Sequence, residues 1–267
     1  MEKFTKNAEL FLTDIYVASY LNKNYKPLPN RKGYIKKAGE VSLFTLENLE
    51  PLFDEYDIIN FFDLTNDQVK ILKNFKFKPR VTKTKGIVLG FDEEYFKKMG
   101  TKFKKIRQAT NRYRNLITQV TDMPLNFSDF KSFIKKWQVQ SKGKYFMMTT
   151  GVDTHFVKSL IDVYKDRLIS KFFYIGEEMV GFSIIERVGE GLYNNIFCKT
   201  LTKYPLLTLF IDSYMFDLLR DENDDFFIVH LGSAERNSNL FRYKTRTYPT
   251  DCFMYDINNV RLYITNK

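Results

Sequence analysis

The chain has 267 residues, of which 44% are hydrophobic and 16% aromatic, enough apolar material for a packed core and too much for a disordered chain. A formal charge of +10 and a pI near 9.3 point to polyanionic partners: nucleic acid such as tRNA or DNA, a phosphorylated cofactor, or an anionic surface. A solvated lysine-rich surface carries the same charge, so composition alone names no partner.

Cysteine is confined to Cys198 and Cys252, both in strand-like contexts, which argues against a disulfide framework and fits a reducing compartment. With two histidines and no Cys/His cluster, no metal is expected. Residues Met1 to Leu21 carry Glu2, Glu9 and Asp14 among their apolar positions, and they lack an uninterrupted signal core and a cleavage site. No apolar run is long enough to span a bilayer, so the expected location is the cytoplasm.

Leu10, Phe11, Ile15, Ala18 and Leu21 recur at helical intervals and predict a helix over Asn7–Asn22, followed by a polar turn with Pro27 and Pro29. Arg31–Ala38 is a basic strand or loop, Val41–Phe44 a short strand, Asn48–Glu55 a connecting helix and Asp57–Leu64 a buried strand. Thr65 offers an N-cap to a helix reaching about Phe75, and Gly86–Phe91 is a further apolar segment. Such alternation predicts a layered α+β architecture.

One long helix is expected from Glu93 to about Gln119, with Phe96, Met99, Phe103, Ile106, Thr110, Tyr113 and Ile117 along one stripe. Arg107 and Arg114 border that stripe. From Lys97 to Arg114 there are eight cations and no acid, a repulsion that a nearby anion would relieve, so this helix is a candidate phosphate-binding face. Asn126–Ser141 is an amphipathic helix that takes Trp137 into the core, and a further helix spans about Asp153–Lys165, with His155 expected at its surface.

Leu168–Ile175, Met179–Val188 and Leu192–Lys199 are successive strand-like runs separated by Gly176-Glu-Glu178 and Gly189-Glu-Gly191, which predicts an antiparallel meander. Thr200–Pro205 then opens an apolar helix, Leu206–Arg220, and Phe226–Leu231 is the next strand. A short helix over Asn239–Thr245 and a strand over Cys252–Ile257 complete the order β-β-β-α-β-α-β.

That order resembles the GNAT acyltransferase fold. More narrowly the chain resembles the Fem-type aminoacyl-tRNA-dependent transferases and the C-terminal domain of phosphatidylglycerol lysyltransferases, in which two GNAT-like halves are joined. The likeness rests on the basic segment Lys102–Arg112, on Tyr204-Pro-Leu-Leu-Thr-Leu209, and on Leu231-Gly-Ser233 followed by Leu240-Phe-Arg-Tyr-Lys244, and it covers about residues 90–257. It implies mixed, mostly antiparallel sheets flanked by helices. A degenerate N-terminal half over residues 1–120 would end in the long basic helix, and the catalytic half would span 121–267. An acetyl-CoA-dependent GNAT carries a glycine-rich pyrophosphate loop, because bare backbone lets several N–H groups approach the phosphates. Thr200–Pro205 contains no glycine, which disfavours acetyl-CoA and leaves the helix start open to another anionic donor.

The resemblance implies an enzyme that passes an acyl or aminoacyl group directly to an amine or hydroxyl. The donor co-substrate would be an aminoacyl-tRNA or an acyl-CoA, and a modified DNA base is one acceptor that suits the charge. Lys244 matches the family's lysine and would meet the developing oxyanion, as would backbone N–H groups in the strand from Asn194 through Asn195 to Phe197. Candidate bases are Glu235, Asp251, His230 and Asp212, with His230 more naturally a structural histidine of a buried strand. Tyr193, Tyr204 and Tyr243, with Asn195 and Ser233, form the candidate donor pocket. Arg107, Arg114, Arg236 and Arg242 are candidate phosphate or nucleic-acid contacts, since a guanidinium forks onto phosphate oxygens. The competing reading is a non-catalytic nucleic-acid-binding protein on the same scaffold, motivated by the missing glycine loop.

Overall fold

The computed structural model describes residues 13–15, 26–27, 33–37, 39–141, 154–223, 226–235 and 238–264; of these, 26–27, 33–34, 36–37, 141, 155–156, 233 and 235 are described by backbone alone. The helix expected over Asn7–Asn22 lies outside the described residues except at 13–15. The side chain of His155 also lies outside them.

In chain order the elements are β1 (Lys26–Pro27), β2 (Gly33–Lys37), β3 (Glu40–Leu43), α1 (Glu50–Glu55), β4 (Ile58–Leu64), α2 (Asn66–Leu72), β5 (Arg80–Phe91) and α3 (Glu93–Lys97). A 3-10 turn (Thr101–Phe103) leads to α4 (Lys104–Tyr113), β6 (Gln119–Thr121), α5 (Phe127–Ser141), α6 (Thr154–Tyr164), β7 (Leu168–Ile175), β8 (Glu178–Gly189) and β9 (Leu192–Thr200). The rest is α7 (Leu207–Asp221), β10 (Phe227–Glu235), α8 (Asn239–Arg246) and β11 (Asp251–Tyr263). The chain forms two compact units: Met1–Val88 with Gly232–Thr247 and Phe253–Lys267, and Leu89–Leu231 with Tyr248–Cys252.

In the first unit β2 pairs antiparallel with β1 and β3, β3 pairs parallel with β4 through the α1 crossover, and β11 runs antiparallel to β4. A parallel pair cannot be closed by a tight hairpin, which is why a helix intervenes there. Val41, Leu43, Ile59, Phe61, Val260 and Leu262 form the sheet side of the core, and Leu52, Val69 and Leu72 of α1 and α2 cover it. Thr65 caps α2 as expected: its hydroxyl accepts from Gln68 N–H at 3.3 Å while Gln68 Oε1 accepts from Thr65 N–H at 2.8 Å. Gly86 is required by packing, because a Cβ there would lie 2.1 Å from the Tyr255 ring. Glu40 is 2% exposed; it accepts from Asn60 Nδ2 at 2.9 Å and has the Arg261 guanidinium at 3.6 Å.

In the second unit β7, β8 and β9 form the expected meander, and β6 adds to its β7 edge. Gly176 and Gly191 take φ values of +57° and +61° in its two turns, a region that favours glycine. β9 then pairs parallel with β10 across α7, over Ile228↔Leu192, Val229↔Tyr193 and His230↔Asn194. Phe182 of β8 packs edge-on against Phe130 and Phe133 of α5, so α5 covers one face of this sheet. Both units therefore contain two antiparallel pairings followed by a parallel one across a helix: β1-β2-β3-α1-β4 and β7-β8-β9-α7-β10. The fold is mixed and mostly antiparallel with flanking helices, the class expected from the sequence.

The single helix expected over Glu93–Gln119 is a correction. The chain breaks into α3, a 3-10 turn and α4, and α4 ends at Tyr113. Lys98 closes α3 in the left-handed region at φ +49°, and Gly100 follows at φ +82°. Arg107 holds the break, donating from Nη1 to the carbonyls of Lys98 at 2.7 Å and Gly100 at 2.8 Å. Strands β5 and β11 are also longer than expected, because polar residues at their outer ends stay within the ladders.

Candidate functional site

The second unit carries a line of polar side chains through the interior of its sheet. Glu186 of β8 is fully buried, Asn194 of β9 is 1% exposed and His230 of β10 is 3% exposed. Arg167, just before β7, donates from Nη2 to Glu186 Oε1 at 2.7 Å, and Asn194 Nδ2 donates to Glu186 Oε2 at 3.0 Å. Asn194 Oδ1 lies 3.1 Å from His230 Nδ1. Glu186 stands four residues beyond Phe182, on the α5 face by strand alternation. His230↔Asn194 is the last described pair of the β9–β10 ladder, whereas β9 continues along β8 to Thr200.

The turn between β9 and α7 is the second feature. Four of its amides are spent inside the protein: Leu201 N–H on Val180 O at 3.0 Å, Thr202 N–H on Gln140 Oε1 at 2.7 Å, Tyr204 N–H on Leu201 O at 3.1 Å and Leu207 N–H on Tyr204 O at 3.2 Å. Leu206 occupies the left-handed region at φ +68°. Tyr113 of α4 donates to Pro205 O at 2.8 Å. Glu178 pins the turn from outside, accepting from Lys203 Nζ at 2.7 Å, Tyr204 OH at 2.8 Å and Lys136 Nζ at 2.9 Å. Burial works to raise the Glu178 carboxyl, but those three donors together outweigh it and hold its pKa at about 2.

On the α7 face of the same sheet, Asp212 is 4% exposed and accepts a short hydrogen bond from Tyr248 OH. The Cys198 thiol beside it is pushed well up, by burial first and then by the charge and hydrogen bonding of Asp212. Lys98 ties α3 to α7, donating to Ser213 Oγ at 3.1 Å and to both Asp217 oxygens at 2.8 and 2.7 Å. A hollow of about 250 Å³ is lined by Asp92, Glu94, Tyr95, Lys102, Thr250 and Asp251. Among the described residues no group of three or more Asp, Glu, His or Cys side chains could hold a metal ion, and no helix is long and apolar enough to cross a membrane.

The residues singled out from the sequence are divided between the two units. Tyr193 is buried in β9, its hydroxyl accepting from Asn223 Nδ2 at 2.8 Å, and burial raises its pKa. Asn195 lies half-buried next to Asn194 in β9. Tyr204 is bound to Glu178. Arg107 and Arg114 are exposed, the first committed to the α3–α4 break and the second closing α4. Asp251 is exposed at the start of β11. In the first unit, Arg242, Tyr243 and Lys244 lie on α8, which Ser238 caps through Phe241 N–H at 3.0 Å, and Lys244 Nζ would be 3.7 Å from a Cβ placed on Gly232. Arg236 and the side chains of Ser233 and Glu235 lie outside the described residues. Sequence reasoning missed Glu186 and used Asn194 only as backbone. The available signal was a carboxylate inside the apolar run Met179–Val188, which a buried strand tolerates only when it is paired.

No protein-family model matches the chain, and no curated protein matches it. Solved structures do. The C-terminal domain of an inferred lysylphosphatidylglycerol synthetase from Agrobacterium fabrum aligns over 97% of this chain and 92% of its own, with a TM-score of 0.61 and 12% identity. L-PGS from Bacillus licheniformis aligns over 88% of this chain and 81% of its own, with a TM-score of 0.55 and 14% identity. A tandem GNAT protein from the clavulanic acid biosynthesis pathway aligns over 100% of this chain and 97% of its own, with a TM-score of 0.53 and 5% identity. The chain therefore has a GNAT-like fold, shared with these proteins across nearly its whole length.

Proposed function

We propose that the protein is an acyl- or aminoacyltransferase of GNAT-like construction, moving an activated group from an aminoacyl-tRNA to an amine or hydroxyl acceptor. The observation that carries this reading is the glycine-free turn before α7. Its amides at Leu201, Thr202, Tyr204 and Leu207 are internally bonded, so they are not arrayed to cradle a pyrophosphate as a coenzyme A loop would be. The aminoacyl-tRNA donor follows from the resemblance of Lys102–Arg112 and Leu240–Lys244 to the Fem-type transferases, and the full-length likeness to a lysylphosphatidylglycerol synthetase domain supports the fold this reading needs. The charge of +10 supports a nucleic-acid donor or acceptor, a modified DNA base among the latter.

Two GNAT-like halves, divided near residue 120, are part of the proposal. The repeated order β-β-β-α-β, once before and once after that point, supports them, as does the alignment with a tandem GNAT protein. Compact units follow contacts and repeated halves follow descent, so the two divisions need not coincide.

In this reading Lys244 meets the oxyanion, Tyr193, Asn195, Ser233, Tyr204 and Tyr243 contribute to the donor pocket, and Arg107, Arg114, Arg236 and Arg242 contact phosphates. The proton goes to a base among Glu235, Asp251, His230 and Asp212. Purified protein incubated with charged tRNAs, and separately with acyl-CoAs, should discharge the former, and Lys244→Ala should slow this by about 10²-fold or more. If neither donor is discharged, the enzyme reading fails. Salt-sensitive retention of nucleic acid without discharge would then favour the binding-protein reading.

A further inference from the structure

We propose that the open edge of β7 is a docking site for an extended peptide segment, which adds to the sheet as a short antiparallel strand with a basic residue between two apolar ones. This site lies beyond the acyl-transfer reading and does not depend on it.

β6 covers only one end of β7. Its register runs Gln119↔Tyr174, Val120↔Phe173 and Thr121↔Phe172, and it stops short of Ser170. After Thr121 the chain leaves the edge: Ser170 Oγ donates to Asp122 O at 2.6 Å, and Leu125 N–H donates to Tyr174 OH at 2.9 Å. Two bonds fix the direction of the remaining backbone groups. Arg187 N–H donates to Arg167 O at 2.8 Å, so Arg167, Ile169 and Lys171 turn their backbone groups to β8. Thr118 N–H donates to Tyr174 O at 2.9 Å, so Tyr174, Phe172, Ser170 and Leu168 turn theirs the other way. The N–H and C=O groups of Leu168 and Ser170 thus point outward, where no described backbone partner meets them. Such an edge is a template for another strand.

A hollow of about 530 Å³ lies along that edge, and its lining includes Ile161 and Lys165 of α6, Leu218 and Asp221 of α7, and Leu168–Lys171 of β7. Phe172 packs edge-on against Phe130 of α5, with which α6 also packs, whereas Phe173 packs against Phe210 and Tyr214 of α7. The two helices therefore flank opposite faces of the sheet, and a hollow that touches both opens on the edge between them. Its volume falls within the range of ligand sites, roughly 300–1,000 Å³.

A strand in line with β6 sets one residue opposite Ser170, the next opposite Ile169 and a third opposite Leu168. Directly opposed residues share a face, so the outer two turn toward Ile161 and the middle one toward Ile169, Leu218 and Asp221. Apolar side chains suit the outer places, where Lys165 also disfavours a second cation. On the α7 side the two cations are already matched: Arg187 donates to Glu222 at 3.0 Å from Nε and 2.5 Å from Nη2, and Lys171 pairs with Asp122. Asp221 has one described partner, Arg220 at 3.3 Å, and its side chain is 67% exposed. It is the charge left to select the middle residue, a lysine or arginine whose stem lies along Leu218 and Ile169.

The peptide Thr-Val-Lys-Val-Thr, capped at its C-terminus and carrying fluorescein at its N-terminus, should bind the full chain saturably in fluorescence anisotropy. N-methylation of both valines, whose N–H groups face Ser170 and Leu168, should weaken binding by about tenfold or more, whereas N-methylation of the lysine, whose N–H faces outward, should change it by less than about twofold. Asp221→Lys, at an exposed position, should weaken binding of this peptide by about fivefold and favour the same peptide with glutamate in place of lysine. No binding at millimolar peptide, equal weakening by the two N-methylations, or indifference to the Asp221→Lys exchange overturns the proposal. Slow hydrogen exchange at the Leu168 and Ser170 amides in a dimer, lost on dilution, also overturns it by giving the edge to a second copy of this chain.

Discussion

The two units each bury a glutamate and serve it with the same pair of side chains, one arginine and one asparagine. Glu40 is 2% exposed and its guanidinium stands at 3.6 Å; Glu186 is fully buried and its guanidinium stands at 2.7 Å. The first is a loose ion pair in which Arg261 Nε is buried without a described partner, and the second is a charge-assisted hydrogen bond. The difference shows one polar device used in two ways. The asparagine bonds are alike, at 3.0 and 2.9 Å, and both carboxylates are buried, so the difference lies in the guanidinium contact and in what the asparagine oxygen meets, a histidine ring in the second unit.

That contrast can be broken most forcefully at the arginines. Arg167→Ala leaves the Glu186 charge buried and should destabilise the protein by about 3 kcal/mol in urea unfolding, the scale for stranding one partner of a buried pair. Arg261→Met should cost less, about 1–2 kcal/mol, because the contact it removes is longer, at 3.6 Å, an unsatisfied Nε goes with it, and Asn60 still donates to the buried Glu40. Equal losses at the two sites would erase the distinction. A smaller effect is expected at Asp212, whose described bonds come from a tyrosine and a cysteine. Asp212→Asn removes the charge beside Cys198, so the pH profile for alkylation of that thiol should move to lower pH in a Cys252→Ser background, while burial still keeps it above an ordinary thiol. An unmoved profile would show that burial alone controls the thiol.

The smallest effect belongs to Glu178, a carboxylate bound by three donors with its side chain 26% exposed. Its folded pKa of about 2 lies below the ordinary 4.5, so its contribution is complete above pH 4.5 and is lost as pH falls through that window toward 2. Glu178→Ala should therefore cost about 1 kcal/mol at neutral pH, as for a surface network, with wild type and variant converging in acid. A difference that persists at pH 2 would mean that the loss lies in packing of the turn and not in charge.

Much of the fold was legible because its signals are local. The meander announces itself through apolar runs cut by Gly176 and Gly191, and the Thr65 cap lies three residues from its partner. The break after α3 was hidden because the apolar spacing stays in register across Lys98 and Gly100, so periodicity cannot detect it. The buried relay was hidden for a different reason. Glu186, Asn194 and His230 come from three strands and are joined only by register, and no sequence spacing encodes that. The sequence did single out a basic stretch after β10, and α8 with Lys244 forms there, but the polar groups with the clearest mutual geometry lie on the strands before it.

β11 has a consequence for how the molecule is made. It pairs along β4, and the Asp63 N–H is bonded to Asn259 Oδ1, 196 positions further along the chain. The early strands of the first unit thus wait, with one ladder open, until some of the last described residues arrive. Contacts of such range close late, because the entropy of the intervening loop must be overcome first. The second unit, whose meander is contiguous, can assemble earlier, so during synthesis the exposed edge of β4 is the point at which a chaperone or another nascent chain would find this protein.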